Sequence, residues 1–253
     1  MFIKSDLKCD IGSVRPNNED IILFGGELFR NQTQTLDFEI TEKSRFAVAI
    51  ADGMGGHSSG EIASEYAAQF FCDFVSELPD DLSLEELSEK IKGWAQMAHR
   101  NILLQGVQNP EYNGMGTTFC GLLFYEKLVL AFNIGDSRLY RFRGGILRPI
   151  STDHSMQKLT NNQSLPSNQI YNSLGAGDSA FVEIKDLTGL IHDDDIFLLC
   201  SDGLSDMITD DEIERVLLME EPTSEKLVDA AKNAGGKDNI SVVLLSIKET
   251  ENK

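Results

Sequence analysis

Short apolar runs with the character of β-strands recur along almost the whole chain. Turn residues such as Glu126-Lys127 and Gly144-Gly145 separate them, and the block from 117 to 150 predicts a meander of antiparallel strands. Strands in such numbers must bury their apolar faces against one another or under helices. The predicted strands are 2–9, 21–24, 35–40, 45–51, 117–125, 128–133, 137–142, 146–150, 181–185, 195–200 and 240–247.

Helical patterns interrupt these strands at about 60–78, 84–105, 211–219 and 224–234. The two long helices each follow a Ser-x-x-Glu capping box, which satisfies backbone N–H groups at a helix start. The boxes pair Ser58 with Glu61 and Ser83 with Glu86. In the first helix, one face is predicted to be apolar and carries Ile62, Tyr66, Phe70 and Phe74.

Helices grouped between runs of hairpin-connected strands predict an α+β fold. We expect a four-layer sandwich, in which two central antiparallel β-sheets are flanked by α-helices. The chain has no repeat, linker or low-complexity tract, so residues 1–253 are interpreted as one domain. The polar stretch at about 155–180 predicts a loop or flap, and residues 25–44 predict a long hairpin.

Composition narrows the classes of partner. Acidic residues number 41 and basic residues 22, and the resulting net charge of -19 disfavours nucleic acid and anionic membrane surfaces. No apolar run approaches transmembrane length, and the N-terminus lacks the pattern of a leader. Four widely spaced cysteines predict reduced, mostly buried thiols and a cytoplasmic protein.

Acidic residues stand at the ends of several predicted strands. Asp52 and Asp202 each follow an apolar run and precede Gly, Asp136 follows Gly135, and Asp238 lies just before the last strand. Each of these is an ordinary turn residue when taken singly. If the fold brings them together with the Glu19-Asp20 pair, their carboxylates would suit Mg²⁺ or Mn²⁺.

A series of motifs gives these residues a context. The series resembles, in order and over nearly the whole chain, the metal-dependent serine/threonine protein phosphatases of the 2C class in their bacterial form. The motifs are Arg15-Pro-Asn-Asn-Glu19-Asp20, Ala51-Asp52-Gly53-Met54-Gly55-Gly56-His57, Gly116-Thr117-Thr118, Asn133-Ile-Gly135-Asp136-Ser137-Arg138, Thr152-Asp153-His154-Ser155, Ser201-Asp202-Gly203-Leu204 and Lys237-Asp238-Asn239-Ile240-Ser241.

The resemblance implies hydrolysis of phosphoserine and phosphothreonine in proteins at a cleft between the sheets that holds two Mn²⁺ or Mg²⁺ ions. It assigns the bridging carboxylate to Asp52, a carbonyl ligand to Gly53, and the phosphate to Arg15. The further implied ligands are Asp202 and Asp238 at one metal, Glu19 and Asp20 at the other, and Asp136 with Asp202 at a third, weaker metal. Implied partners are phosphoprotein substrates of a serine/threonine kinase, and a monomer is expected.

The proton donor is left open by the sequence. Some members of the family carry His directly after the Asp-Gly pair, but this chain has Met54, and a thioether cannot donate a proton. His57 is a candidate acid because it is close in sequence, although a loop or helix-start residue is the simpler interpretation, and a metal-bound water is the other candidate. The stretch between His154 and Gly175 is also shorter and more polar than the resemblance implies.

Two alternatives remain at this point. Cys9-Asp-Ile-Gly12-Ser-Val-Arg15 fits the phosphate loop of cysteine-dependent phosphatases, but Pro16 and a strand follow where a helix should begin. Nearby acidic residues would also raise the thiol pKa of Cys9. The other alternative is a catalytically weak or inactive scaffold that binds phosphopeptides. Lost carboxylates would mark such a protein, and the main acidic positions are present.

Overall fold

The computed structural model describes residues 1–55, 59–162, 164–166 and 169–248. The helices there are α1 Ser59–Ser76, α2 Leu84–Gln108, α3 Met156–Thr160, α4 Asp202–Ser205, α5 Asp210–Leu217 and α6 Ser224–Asn233. The strands are β1 Phe2–Asp10, β2 Ile21–Phe24, β3 Glu27–Phe29, β4 Thr33–Glu39, β5 Arg45–Ala51, β6 Gly53–Met54, β7 Gly116–Thr117, β8 Phe119–Tyr125, β9 Leu128–Ile134, β10 Arg138–Arg143, β11 Ile146–Pro149, β12 Glu183–Asp186, β13 Ile196–Cys200 and β14 Ile240–Lys248.

Two six-stranded antiparallel sheets form the centre of the described part of the chain. The first has the order β11-β10-β13-β14-β1-β4, and the second has the order β12-β9-β8-β5-β2-β3. A short pair, β6-β7, extends from the end of β5. None of the helices in these residues is both long enough and apolar enough to cross a membrane.

Three apolar cores separate four layers. The middle core lies between the sheets and includes Leu7, Ile50 and Leu245. An outer core joins the second sheet to α1 and α2, and another joins the first sheet to α4, α5 and α6. The predicted four-layer α+β sandwich is therefore confirmed.

Alanines bring α1 close to the second sheet. Strand β5 alternates Ala47, Ala49 and Ala51 toward the helices with Val48 and Ile50 toward the middle core. Small side chains on both surfaces let helix and strand approach closely. The fully buried stripe of α1 is accordingly Ala63, Ala67, Phe71 and Val75, one residue along from the predicted face. The predicted face of Ile62, Tyr66, Phe70 and Phe74 is only partly buried against the same core.

The predicted meander over 117–150 and the predicted long hairpin over 25–44 are each wrong in part of their strand pairing. Within 117–150, β8 and β9 pair in the second sheet while β10 and β11 pair in the first, so the meander divides at Gly135-Asp136. Within 25–44, β3 pairs with β2 while β4 pairs with β1. Within these two stretches, the predicted strands 35–40, 128–133, 137–142 and 146–150 overlap β4, β9, β10 and β11, whereas 117–125 divides into β7 and β8 and β3 was not predicted. Local sequence does not specify which sheet a strand joins, because both sheets offer an apolar face to the same core.

The predicted flap contains regular structure near its start. Helix α3 begins after Ser155, whose Oγ accepts a hydrogen bond from the Lys158 N–H at 3.3 Å. Isolated bridges join Ser155 to Ile170 and Thr117 to Leu174. The second bridge attaches Leu174, in the later part of the flap, to the β6-β7 pair, close to the Asp52-Gly53 pair that follows β5.

Candidate active site

The acidic motif residues meet at one end of the sandwich. Asp52 follows β5, Asp136 follows β9, Asp202 follows β13, and Asp238 precedes β14. Because neighbouring strands are antiparallel, the end of one strand lies beside the start of the next. They line a cavity of about 620 Å³ together with Arg15, Pro16, Asn17, Glu19, Gly53, Met54, Gly55, Thr118, Ile170 and Asn239.

Asp52 is held through its backbone. Its N–H donates to Thr118 Oγ1 at 3.0 Å, and its carbonyl accepts from the Thr118 N–H and from Thr117 Oγ1, both at 2.9 Å. These bonds fix the point where β5 gives way to β6. The side chain of Asp52 lines the cavity from this point and forms a hydrogen bond with the side chain of Asp202.

Glu19 is fixed in the same way, and its backbone lies beside Gly53. Its N–H donates to Asn239 Oδ1 at 2.8 Å, and its carbonyl accepts from Ser64 Oγ at 2.6 Å and the Gly53 N–H at 3.2 Å. Asp20 lies beneath it and is fully buried. Asp20 Oδ2 accepts from Ser201 Oγ at 2.8 Å.

The segments that carry Asp202 and Asp238 are in close contact at Gly203. A Cβ atom on Gly203 would lie 1.9 Å from the carbonyl oxygen of Asn239, so no larger residue fits this contact. Asn239 also fastens the neighbouring loop, because its Nδ2 donates to the carbonyls of Ile11 and Asn17 at 2.9 Å. Two candidate ligands are thereby brought from separate strands to one side of the cavity.

The clustered carboxyl groups raise one another's pKa. Burial is the largest cause, and repulsion from neighbouring carboxylates adds to it. The pKa rises to about 7 for Asp20, about 6 for Asp202 and about 8 for Asp136. The pKa of Asp52 is also raised well above its usual range, by burial and then by the charges of Asp20 and Asp202.

This donor set fits hard divalent cations. Asp20 Oδ1 is buried and has no hydrogen-bond partner in the described residues, which is costly for an oxygen that carries charge. The surrounding donors are carboxylate and carbonyl oxygens, the ligands that Mg²⁺ and Mn²⁺ prefer. Among the residues that the structure describes, no three His, Cys, Asp or Glu side chains are already grouped as a metal site.

Arg15 places a positively charged guanidinium group at the mouth of the cavity. Its Nη2 donates to Asp238 Oδ2 at 2.5 Å, and the guanidinium is about half exposed. The other predicted catalytic residue, His57, lies outside the described residues, as does the predicted cap Ser58. Met54 lies in β6 and lines the cavity, so the position after Asp52-Gly53 does face the site.

The geometry opposes a cysteine nucleophile. Cys9 belongs to β1, is 2% exposed and faces the middle core. Burial and the charge of Asp20 raise its pKa to about 11, which is opposite to the shift that a nucleophilic thiol needs. Gly12 is followed by a turn rather than by a helix.

Sequence reasoning gave no role to Thr118, Ser201 or Asn239. All three stand within the motif segments, and Ser201 and Asn239 directly adjoin Asp202 and Asp238. Their position beside the acidic residues was the available signal. Their hydrogen bonds cross from one loop to another, so they could not be assigned from local sequence.

The fold and cavity thus define a site for hard cations and an anion between two antiparallel sheets. A family model described as Protein phosphatase 2C matches residues 30–240. The serine/threonine phosphatase stp of Listeria monocytogenes is 30% identical over 252 residues, which cover 95% of this chain and 94% of that protein. The chain belongs to the protein phosphatase 2C family.

Solved structures agree in fold. The serine/threonine phosphatase of S. agalactiae has a TM-score of 0.81 at 27% identity, with 97% of this chain and 100% of that chain covered. The catalytic domain of the protein phosphatase PstP in complex with two manganese ions has a TM-score of 0.74 at 27% identity, with 98% and 100% covered.

Proposed function

We propose that this chain is a metal-dependent phosphatase that hydrolyses phosphoserine and phosphothreonine monoesters in proteins. The observation that carries the proposal is the convergence of buried carboxylates from separate strands on one cavity with Arg15 at its mouth. Membership of the protein phosphatase 2C family and the two manganese ions of the PstP structure support it.

The metal ligands are assigned as the motifs suggest. Asp52 would bridge two Mn²⁺ or Mg²⁺ ions and the Gly53 carbonyl would bind one of them. The remaining assignments are Asp202 and Asp238 at one ion, Glu19 and Asp20 at the other, and Asp136 with Asp202 at a third, weaker ion. The pKa shifts favour this, because cations would relieve the repulsion between the carboxylates.

The protein's own groups bind and orient the substrate. Arg15 would hold phosphoryl oxygens, for which its planar guanidinium is suited. The threonine and asparagine bonds to Asp52 and Glu19 keep the carboxylate frame fixed while substrate enters. The bound cations would supply an activated water and neutralise phosphoryl oxygens, in a reaction that needs up to ~10²¹-fold acceleration. The in-line attack requires no covalent enzyme intermediate.

Two groups could protonate the leaving alkoxide: His57, or a water held by a bound cation. Met54 lines the cavity at the position where some family members carry histidine, and its thioether cannot donate a proton. His57 is the nearest histidine in sequence, three residues further on.

The wider setting follows from the same proposal. We assign residues 1–253 to one catalytic domain with a short flap at about 155–180, acting as a monomer. The substrates would be phosphoproteins of a serine/threonine kinase in bacterial signalling. The free thiols of all four cysteines support a cytoplasmic location.

Phosphopeptide hydrolysis with and without Mn²⁺ tests the function. We expect turnover that chelation abolishes and that Asp202→Asn reduces to background, while the exposed α6 variant Asp229→Asn retains it. Unchanged turnover after chelation or in Asp202→Asn would refute the mechanism. A folded protein that binds Mn²⁺ but hydrolyses no phosphopeptide would favour the scaffold alternative.

A further inference from the structure

A turn from outside the motif series reaches back to the acidic site. Residues 30–32 connect β3, in the second sheet, to β4, in the first. They lie in the segment whose pairing the sequence did not reveal. Arg30 and Asn31, here called the Arg30–Asn31 turn, do not line the cavity.

Arg30 joins the Asp20 backbone to the first turns of α1. Its side chain is 15% exposed. Nε donates to the Asp20 carbonyl at 3.0 Å, and Nη2 donates to the Glu61 carbonyl at 3.0 Å and to Ser64 Oγ at 3.2 Å. Nη1 donates to the carboxylates of Glu61 and Glu65 at 2.9 and 3.1 Å. These five bonds match the five N–H donors of a guanidinium, so no donor is spare.

Asn31 holds the same acidic segment from its other side. Its Oδ1 accepts from Asn18 Nδ2 at 2.9 Å, and Asn18 Oδ1 accepts from the Asp20 N–H at 3.1 Å. The φ angle of Asn31 is 56°, a left-handed conformation that asparagine tolerates better than most residues. The turn therefore contacts the segment 18–20 at two separate places.

The start of α1 lies between Arg30 and two residues that line the cavity, Glu19 and Gly53. Ser64 Oγ, which accepts from Arg30, donates to the Glu19 carbonyl at 2.6 Å. A Cβ atom on Gly60 would lie 2.6 Å from Glu19 Oε2 and 2.7 Å from the Gly53 carbonyl carbon. The first turn of α1 is therefore in close contact with two candidate metal ligands, Glu19 and Gly53. Arg30 links the start of α1 by hydrogen bonds to a third, Asp20.

We propose that the Arg30–Asn31 turn positions Glu19 and Asp20 for cation binding, through their backbone and through α1. The proposal rests on the proposed function, because it takes Glu19 and Asp20 as metal ligands. A merely structural salt bridge would need one carboxylate partner, whereas Arg30 also donates to two carbonyls and a hydroxyl beside the site. Groups that orient metal ligands typically change metal affinity 10–100-fold when removed.

Titration of the full chain with Mn²⁺ measures the effect without reference to catalysis. We expect Arg30→Met to raise the Mn²⁺ dissociation constant by about 10–100-fold. Arg30→Lys should give an intermediate rise, because an ammonium keeps the charge but cannot reach all these partners. Asn31→Gly keeps the positive φ while removing the bond to Asn18, and we expect a smaller rise.

Arg143 is the matched control. Its guanidinium donates to both Asp195 carboxylate oxygens, at 2.5 and 2.6 Å, and to the Leu190 carbonyl at 2.8 Å, away from the cavity. Arg143→Met should lower stability toward urea and leave Mn²⁺ affinity unchanged.

Several results would overturn the proposal. It fails if Arg30→Met and Asn31→Gly both bind Mn²⁺ within about twofold of wild type, or if Arg143→Met weakens binding as much as Arg30→Met. If Arg30→Met does not fold, Arg30→Lys and Asn31→Gly decide by the same criterion. A wild-type chain that binds no Mn²⁺ would instead refute the proposed function, and this positioning role with it.

Discussion

Replacing Asp20 by Asn should stabilise the metal-free protein at alkaline pH. Asp20 is 0% exposed, and one of its carboxylate oxygens has no partner among the described residues. Asn has the same shape, keeps an acceptor for Ser201 Oγ and carries no charge. The variant therefore removes the cost of ionising a buried carboxyl group and leaves the packing nearly unchanged.

The magnitude follows from the shift in the Asp20 pKa, from 3.8 to about 7. The folded state retains a proton that the unfolded chain has lost, so stability falls as pH rises through this window. Each pKa unit corresponds to 1.36 kcal/mol, and the whole shift corresponds to about 4 kcal/mol. About 2 kcal/mol of this is lost between pH 5.5 and pH 8, and almost none above pH 8.

Urea unfolding in the presence of chelator measures the difference. We expect the free energy of unfolding of the wild type to fall by about 2 kcal/mol relative to Asp20→Asn between pH 5.5 and pH 8. Asp20→Asn also removes one of the charges that raise the pKa of Asp52, so the difference between the two profiles reports Asp20 together with this effect on its neighbour. Adding Mn²⁺ at pH 8 should stabilise the wild type more than the variant, because binding to the folded state adds stability.

Parallel profiles would refute this reasoning. If wild type and Asp20→Asn keep the same difference in free energy at pH 5.5 and pH 8, Asp20 is not held at a raised pKa. A wild type that becomes relatively more stable as pH rises would show that its carboxylate is already compensated by a cationic or hydrogen-bonding partner.

Two further substitutions probe the cavity. Met54→His should retain Mn²⁺ affinity and change the pH profile of turnover, because imidazole titrates near neutral pH; loss of Mn²⁺ binding would show that Met54 is structural. Gly203→Ala should lower the free energy of unfolding by about 1–3 kcal/mol and weaken Mn²⁺ binding, because its Cβ would meet the Asn239 carbonyl and displace Asp202. Gly93→Ala, with no atom within 4 Å of the new Cβ, is its control, and an equal loss there would contradict the explanation.

Much of the fold could be predicted because its signals are local. The apolar run Phe46–Ala51 and the capping box of Ser83 with Glu86 predicted β5 and the start of α2, and both are present in the structure. Strand pairing could not be predicted in the same way. The division of the 117–150 block at Gly135-Asp136 depends on which sheet has room for β10, and that depends on strands far away in sequence.

In the acidic site, too, residues with a local sequence signal could be predicted, and residues whose partners are distant in sequence could not. Asp52, Asp136, Asp202 and Asp238 were recognisable because acidic residues at strand ends are unusual when they recur. Arg30 was not recognisable, because nothing near it in sequence marks a role and its partners lie ten to thirty-five residues away. A residue that acts through another residue's backbone leaves no motif of its own.

Two groups of residues have different roles in the site: neutral side chains hold the backbone, and acidic side chains line or adjoin the cavity. Neutral donors and acceptors satisfy the backbone at Glu19 and Asp52, while Asp20 keeps a buried carboxylate oxygen that has no partner in the described part of the chain. An apolar core or a neutral Asn would be cheaper at Asp20 in a protein selected for stability alone. The cation of the proposed metal site would offset this cost, so that proposal explains the fixed backbone and the unsatisfied carboxylate together.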